Sequence, residues 1–258
     1  PQYDTPEKRG ALISKIMMEQ YELVNQYVKN PLFCVNLYGE VMELYNQGYL
    51  TLPENVIMIW ADNGYGKMVS RRQWNHDPRI VSLPSEQMKD RKHGVYYHAS
   101  FYDLQSANVL TMIPNSMEFV GKELEIAYER GIREFWLVNC SNVKPHVYPL
   151  DYIASLWNGE KKTAMEHLRS YVCTYYPDAV SETGEDWTDQ MIRCFLNYFK
   201  MMLHYGQKED QHAGEQFYNY VTRVMIWHWM KYGEKTRCEE LNWCAGQETF
   251  SEQVNWYG

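Results

Sequence analysis

The chain has 258 residues, with apolar residues at 45% and charged residues at 22%, a composition that fits one large globular domain or two smaller ones. A net charge of -8 and a pI near 5.5 argue against sequence-independent nucleic-acid binding, which needs basic surface to displace counterions. No apolar run approaches the ~20 residues that cross a bilayer, so no membrane span is predicted.

Thr5 can cap a first helix that carries Pro6 in its opening turn, where a missing N–H costs nothing. The apolar pairs Leu12/Ile13, Ile16/Met17, Leu23/Val24 and Tyr27/Val28 recur at helical spacing, and Asn30-Pro31 stops the run. A short element from Leu32 to Leu37 leads into a second helix, Tyr38 to Asn46, closed by Gly48. Val56 to Trp60 is apolar on both faces, as a buried parallel strand is, and it ends in Ala61-Asp62-Asn63-Gly64-Tyr65-Gly66. A long polar stretch from Lys67 to His93 follows, and connections of that length in a compact domain are usually functional or disordered. Gly94 to Tyr102 reads as another strand and Val109 to Ile113 as a short one. Asn115 or Ser116 can cap a helix from Met117 to Arg130, which Gly131 ends. Glu134 to Asn139 is a third clear strand, and its loop, Cys140 to Tyr148, opens a helix near Pro149.

Strands alternating with helices imply a parallel sheet with crossover helices. Too few strands are visible to close an eight-stranded barrel, so the fold class is α/β, a partial (β/α)8 TIM-type barrel. Beyond residue 160 the pattern turns helical, over Met165 to Tyr176, Trp187 to Tyr205 and Gln211 to Tyr232. The reading is therefore two domains, 1–160 as the carboxyl-terminal part of a barrel catalytic domain and 161–258 as a helical bundle segment. The six cysteines, Cys34, Cys140, Cys173, Cys194, Cys238 and Cys244, contain no C-x-x-C pair, which argues against a zinc ribbon and suits a reducing compartment. The 22 tyrosines, 9 tryptophans and 8 phenylalanines supply either core or platforms that stack on sugar rings.

In parallel α/β architectures ligands bind beyond the carboxyl ends of the strands. That rule selects Asp62 and Asn63 after Trp60, His98 and Asp103 around the next strand end, and Asn139, Asn142, Lys144 and His146 after Val138. Asp62 can serve as general base, nucleophile or sugar-hydroxyl acceptor, or it can spend its side chain on an Asx turn. His98 can simply bond within a packed strand end, and Asn139 can tie neighbouring loops. Lys67, Arg71 and Arg72 form a basic cluster suited to a sugar acid, or else a solvated charge run. Glu118, in the first turn of its helix, is placed for a second carboxylate, although acidic residues favour helix N-termini on electrostatic grounds alone. The spacing of His204, His212 and His228 matches no zinc pattern, and no metal site or other cofactor is predicted.

At these strand ends the sequence resembles glycoside hydrolase family 115. The runs are Tyr38-Gly39-Glu40-Val41 through Gly48, Ile59-Trp60-Ala61-Asp62-Asn63-Gly64-Tyr65-Gly66 with Arg71-Arg72, Gly94-Val95-Tyr96-Tyr97-His98, and Phe135-Trp136-Leu137-Val138-Asn139 with Val143-Lys144-Pro145 and Tyr148-Pro149-Leu150. Their order and approximate spacing agree over about residues 5 to 160. The resemblance implies a xylan α-1,2-glucuronidase with a (β/α)8 barrel followed by a helical domain, an inverting mechanism, no metal requirement and a polysaccharide substrate bearing uronic acid. It also implies a homodimer formed through the family's other domains. Asp62 falls on the family's active-site aspartate, and His98, Asn139 and Lys144 on pocket positions. The sequence departs where the family pattern resembles W-x-D-D-N-x-G: the second acidic position is Asn63 and the following position is Gly64. An amide cannot serve as a carboxylate base. Two other readings stay open, a non-catalytic carbohydrate-binding or scaffold domain and a barrel enzyme of another substrate class. Because absent strands leave open sheet edges, the chain alone is expected to be a poor catalyst.

Overall fold

A computed structural model describes residues 5–64, 66–69, 81–88, 90–100, 115–177, 187–201, 226 and 229–233. The first helix, α1 (Pro6–Tyr27), starts as its sequence predicts, with the Thr5 hydroxyl accepting from the Lys8 N–H at 3.4 Å. Its one buried residue is Gly10, and a Cβ there would lie 2.2 Å from the Tyr49 carbonyl oxygen, so α1 crosses the chain at a point only glycine allows. Then come β1 (Phe33–Leu37), α2 (Glu40–Asn46), β2 (Val56–Ala61), β3 (His93–His98), α3 (Met117–Glu129), β4 (Ile132–Asn139), α4 (Val147–Trp157), α5 (Ala164–Tyr175) and α6 (Thr188–Met201).

The four strands form one parallel sheet in sequence order, β1-β2-β3-β4. The short element at Leu32–Leu37 is thus a true strand, in register with β2 from Phe33↔Val56 to Leu37↔Trp60. The third predicted strand begins two residues early, at Ile132, because that side chain is fully buried under the sheet's amino end. β3 stops at His98, although the Ala99 and Ser100 N–H groups still reach the Asn139 carbonyl at 2.9 and 3.3 Å. The predicted strand at 109–113 and most of the predicted helix at 211–232 lie outside the described residues. Among the described residues the sheet is four-stranded and open, with β1 and β4 at its edges.

Residues in register across parallel strands share a face. Leu37, Trp60, Val95 and Trp136 form one row, directed at the helices. Asn36, Ile59, Gly94 and Phe135 form the neighbouring row on the opposite face, joined there by Ala61, Tyr96 and Leu137 and then by His98 and Asn139. The helix-side core runs without a break from Met58, Trp60 and Val95 through Val120 and Leu124 of α3 and Tyr148 and Tyr152 of α4. It continues into Leu168 and Val172 of α5 and Ile192 and Phe199 of α6. Packing is therefore continuous across residue 160, the position where the sequence pattern changes. No helix among the described residues is long and apolar enough to cross a membrane.

Candidate active site

The chain leaves β2 at Ala61 and turns at once, and Asp62 organises that turn. Its side chain is fully buried. Oδ1 accepts from the Gly64 N–H at 3.2 Å, and Oδ2 accepts from the N–H groups of Gly66 at 2.8 Å and His98 at 3.3 Å. The His98 ring completes the set through its Nδ1 on Asp62 Oδ1. Gly66 makes this geometry possible. Its φ is +83°, and a Cβ would sit 2.7 Å from the Tyr97 hydroxyl and 3.0 Å from the Asn115 amide nitrogen. The Tyr97 hydroxyl in turn donates to the Gly66 carbonyl at 3.0 Å.

Three sequence-selected residues come together here. His98 is joined to Asp62, and its ring stands edge-on to Tyr96 at 4.8 Å between centroids. The Tyr96 hydroxyl accepts from the Asn139 amide at 2.7 Å. Asp62, His98, Tyr96 and Asn139 thus adjoin in series across the carboxyl ends of β2, β3 and β4, by hydrogen bonds at either end and a ring contact between them. With Asp62 on Nδ1–H, a neutral His98 carries its lone pair on Nε2. Ser100 and Ser141 tie the two following loops, Oγ to Oγ at 2.8 Å, with the Ser141 N–H on Ser100 Oγ at 2.6 Å.

Other selected residues are placed differently. Asn63 is buried and turns back on its own loop, its Oδ1 accepting from the Lys67 N–H at 3.3 Å and its N–H bonding the Lys67 carbonyl at 2.9 Å. Lys67 is engaged by Glu123 at 2.9 Å and lies 5.5 Å from the Phe119 ring centroid. Its ammonium is held by the protein instead of being presented as part of a loop cluster. Glu118 is exposed on the first turn of α3 and makes no hydrogen bond or ion pair among the described residues. Its charge is felt by Tyr148 and Tyr152, whose hydroxyls are pushed up first by burial and then by Glu118. Asn142 is exposed, and its carbonyl accepts from the buried His146 Nδ1 at 2.5 Å, which leaves Nε2 of His146 buried without a hydrogen-bond partner. Lys144 is exposed at the start of the same 3-10 turn. Arg71, Arg72 and Asp103 lie outside the described residues.

Glu123 is the residue that sequence reading passes over. It is 4% exposed, and besides Lys67 it accepts from the Met68 N–H at 2.9 Å. The signal was present. Val120, Glu123, Leu124 and Ala127 fall at the spacing of one helical stripe, and all four are buried. A carboxylate on an apolar stripe requires a partner.

A buried acid–imidazole pair and an amide thus converge at the carboxyl end of a parallel α/β sheet, the end at which such folds bind ligands. Residues 2–208, well over half of the chain, match the sequence profile of glycosyl hydrolase family 115, and the chain belongs to that family. Among solved structures it is similar to a family GH115 4-O-methyl-alpha-glucuronidase, BtGH115A, with specificity for decorated arabinogalactans. The two share 19% sequence identity at a TM-score of 0.62, over 98% of this chain and 32% of that one, a likeness of fold. The chain thus spans about a third of the length of that relative. No curated protein matches it.

Proposed function

We propose that the chain supplies the sugar-facing strand ends of a glycoside hydrolase that removes glucuronic acid or 4-O-methylglucuronic acid side chains from a decorated, xylan-like polysaccharide. The observation that carries this reading is the unbroken run from Asp62 through His98 and Tyr96 to Asn139. Pyranose recognition needs donors and acceptors fixed before the sugar arrives, and each group in the run is oriented by its neighbour. The loop that follows β4 brings Asn142, Lys144 and His146 to the same end of the sheet.

Asp62 acts as a positioning residue. Both its oxygens are occupied, so its part is to fix the tautomer and tilt of His98. Glu118 is exposed and stands in the first turn of a crossover helix, on the carboxyl side of the sheet, which suits it to be the general acid. Inversion requires acid and base to stand ~6.5–9.5 Å apart with water between them. The test is release of 4-O-methylglucuronic acid from glucuronoxylan and from decorated arabinogalactan. Asp62→Asn is expected to lower kcat by ~10–100-fold, and Glu118→Gln to lower it by ~10²–10⁴-fold. An unaltered rate in Asp62→Asn removes the pair from the mechanism.

The saturated Asp62 carboxylate, with Asn63 buried behind it, favours one alternative, a carbohydrate-binding domain without turnover. A protein that binds the oligosaccharides and releases no uronic acid establishes that alternative.

A further inference from the structure

A second concavity opens off the turn that follows β4, between α4, α5 and α6. It measures about 340 Å³ and is lined by Lys144, Tyr148, Tyr171, Tyr176, Phe195 and Tyr198 among others. That volume falls within the ~300–1,000 Å³ of small-ligand pockets. Tyr148 and Tyr171 form a buried floor, with ring centroids 5.1 Å apart, and Phe195 stands edge-on to both at 5.1 and 6.0 Å. Tyr176 stands edge-on to Tyr171 at 6.3 Å and is 40% exposed, so its ring leaves a face to solvent. Tyr198 is half-buried along the opposite side, on α6. Lys144 is exposed at the mouth, and its ammonium makes no ion pair among the described residues.

The chemistry of the walls narrows the occupant. A groove made for a helix or strand of another protein is walled by aliphatic side chains that accept apolar knobs. Here the walls are mostly tyrosine rings, flat and apolar with a polar rim, which match the C–H face of a pyranose and its equatorial hydroxyls. The exposed Lys144 ammonium, unpaired among the described residues of a chain of net charge -8, adds complementarity for an acid group. We propose that this groove is a separate subsite for an acid-bearing oligosaccharide, its pyranose rings stacked on Tyr176 and Tyr198 and its carboxylate directed at Lys144. The proposal rests on the glycan class assigned above and adds a binding surface, built by α4, α5 and α6, to the strand-end site.

Isothermal titration of the protein tests it, with three probes: 4-O-methylglucuronoxylotriose, a galactan oligosaccharide carrying 4-O-methylglucuronic acid, and unsubstituted xylotriose. Tyr176 and Lys144 are exposed, so Tyr176→Ala and Lys144→Met are expected to keep the parent melting temperature. Tyr176→Ala is expected to weaken binding of acid-bearing and neutral probes alike by about tenfold or more. Lys144→Met is expected to weaken the acid-bearing probes by a similar factor and leave xylotriose unchanged. Parent affinity in both variants overturns the groove. If Asn139→Ala weakens binding while those two variants do not, the strand-end site stands and the groove falls. Failure of the parent protein to bind any of the probes also overturns it. Uronic-acid release from polymer judges the reaction separately, since that readout does not require this subsite.

Discussion

At the scale of single residues, the strand-end site depends on backbone as much as on side chains. Asp62 was legible as a strand-end carboxylate because a polar residue follows six apolar ones. The direction of its oxygens was not legible, because the turn through Gly64 and Gly66 sets it. Gly66→Ala places a Cβ in a left-handed backbone position and against Tyr97 and Asn115. It is expected to destabilise the fold by ~1–3 kcal/mol, read from urea denaturation, and to weaken glycan binding with it. A substitution without effect on either would mean that this turn does not hold the site. His98 and Asn139 were selected for their position at strand ends, and their plainer roles as packing and tying groups are visible too, since each hydrogen-bonds a neighbouring element. Tyr96 was read only as part of a strand. Its hydroxyl meets Asn139 and its ring meets His98, and nothing in the alternation of that strand marks which tyrosine, 96 or 97, faces the site.

At the scale of elements, hydrophobic period carried most of the reading. β2 is buried at all six positions and was plain in the sequence. β1 is an edge strand with an alternating burial pattern, too short for its period to separate it from an extended connection. Helices α1, α3 and α5 begin where Thr5, Ser116 and Thr163 supply caps, and at α5 Thr163 and Glu166 form a reciprocal capping box. The element-level relation that escaped notice is the one between α3 and the loop after β2. A glutamate inside a helix reads as solvent-facing, and its partner lies 56 residues away in sequence. Glu123→Ala strips the partner from both the Lys67 ammonium and the Met68 N–H. The expected cost is roughly 2–4 kcal/mol by thermal or urea unfolding, more than a surface pair supplies. A loss below ~0.5 kcal/mol would show that the contact holds nothing.

At the scale of the whole molecule, two of the buried imidazoles sit in different layers, one in the sheet and one between helices. His93 opens β3, accepts from the Trp60 indole N–H at 3.1 Å and bonds the Met88 carbonyl at 2.8 Å. His167 lies between α4 and α5, bonded to Asp151 at 3.0 Å and packed on Tyr148 and Tyr152. Burial is the largest influence on both and holds each below its ordinary value of 6.5; Asp151 only partly offsets this at His167. The unfolded chain therefore takes up protons before the folded one does. Stability is complete above pH ~6.5 and declines as pH falls below it. Melting temperature is expected to drop by a few degrees between pH 7.5 and 5.5. The paired replacement His93→Gln, His167→Gln is expected to flatten that dependence, and an unchanged slope would place the acid sensitivity elsewhere. The sequence suggests a boundary near residue 160 because only helical periodicity follows it, while in the structure Tyr148, Tyr152 and Leu168 belong to one core on both sides of that position.

The Glu123 contact has a further bearing on how the site behaves over time. Because one carboxylate grips both a side chain and a main-chain amide of the segment just past Gly66, that segment cannot swing away without leaving a charge stranded inside the protein. The turn that holds Asp62 is thereby tied to α3 on one side and to β3 on the other. Under the proposed function, discrimination among glycans falls to the neighbouring loops, since this one is bolted to the scaffold.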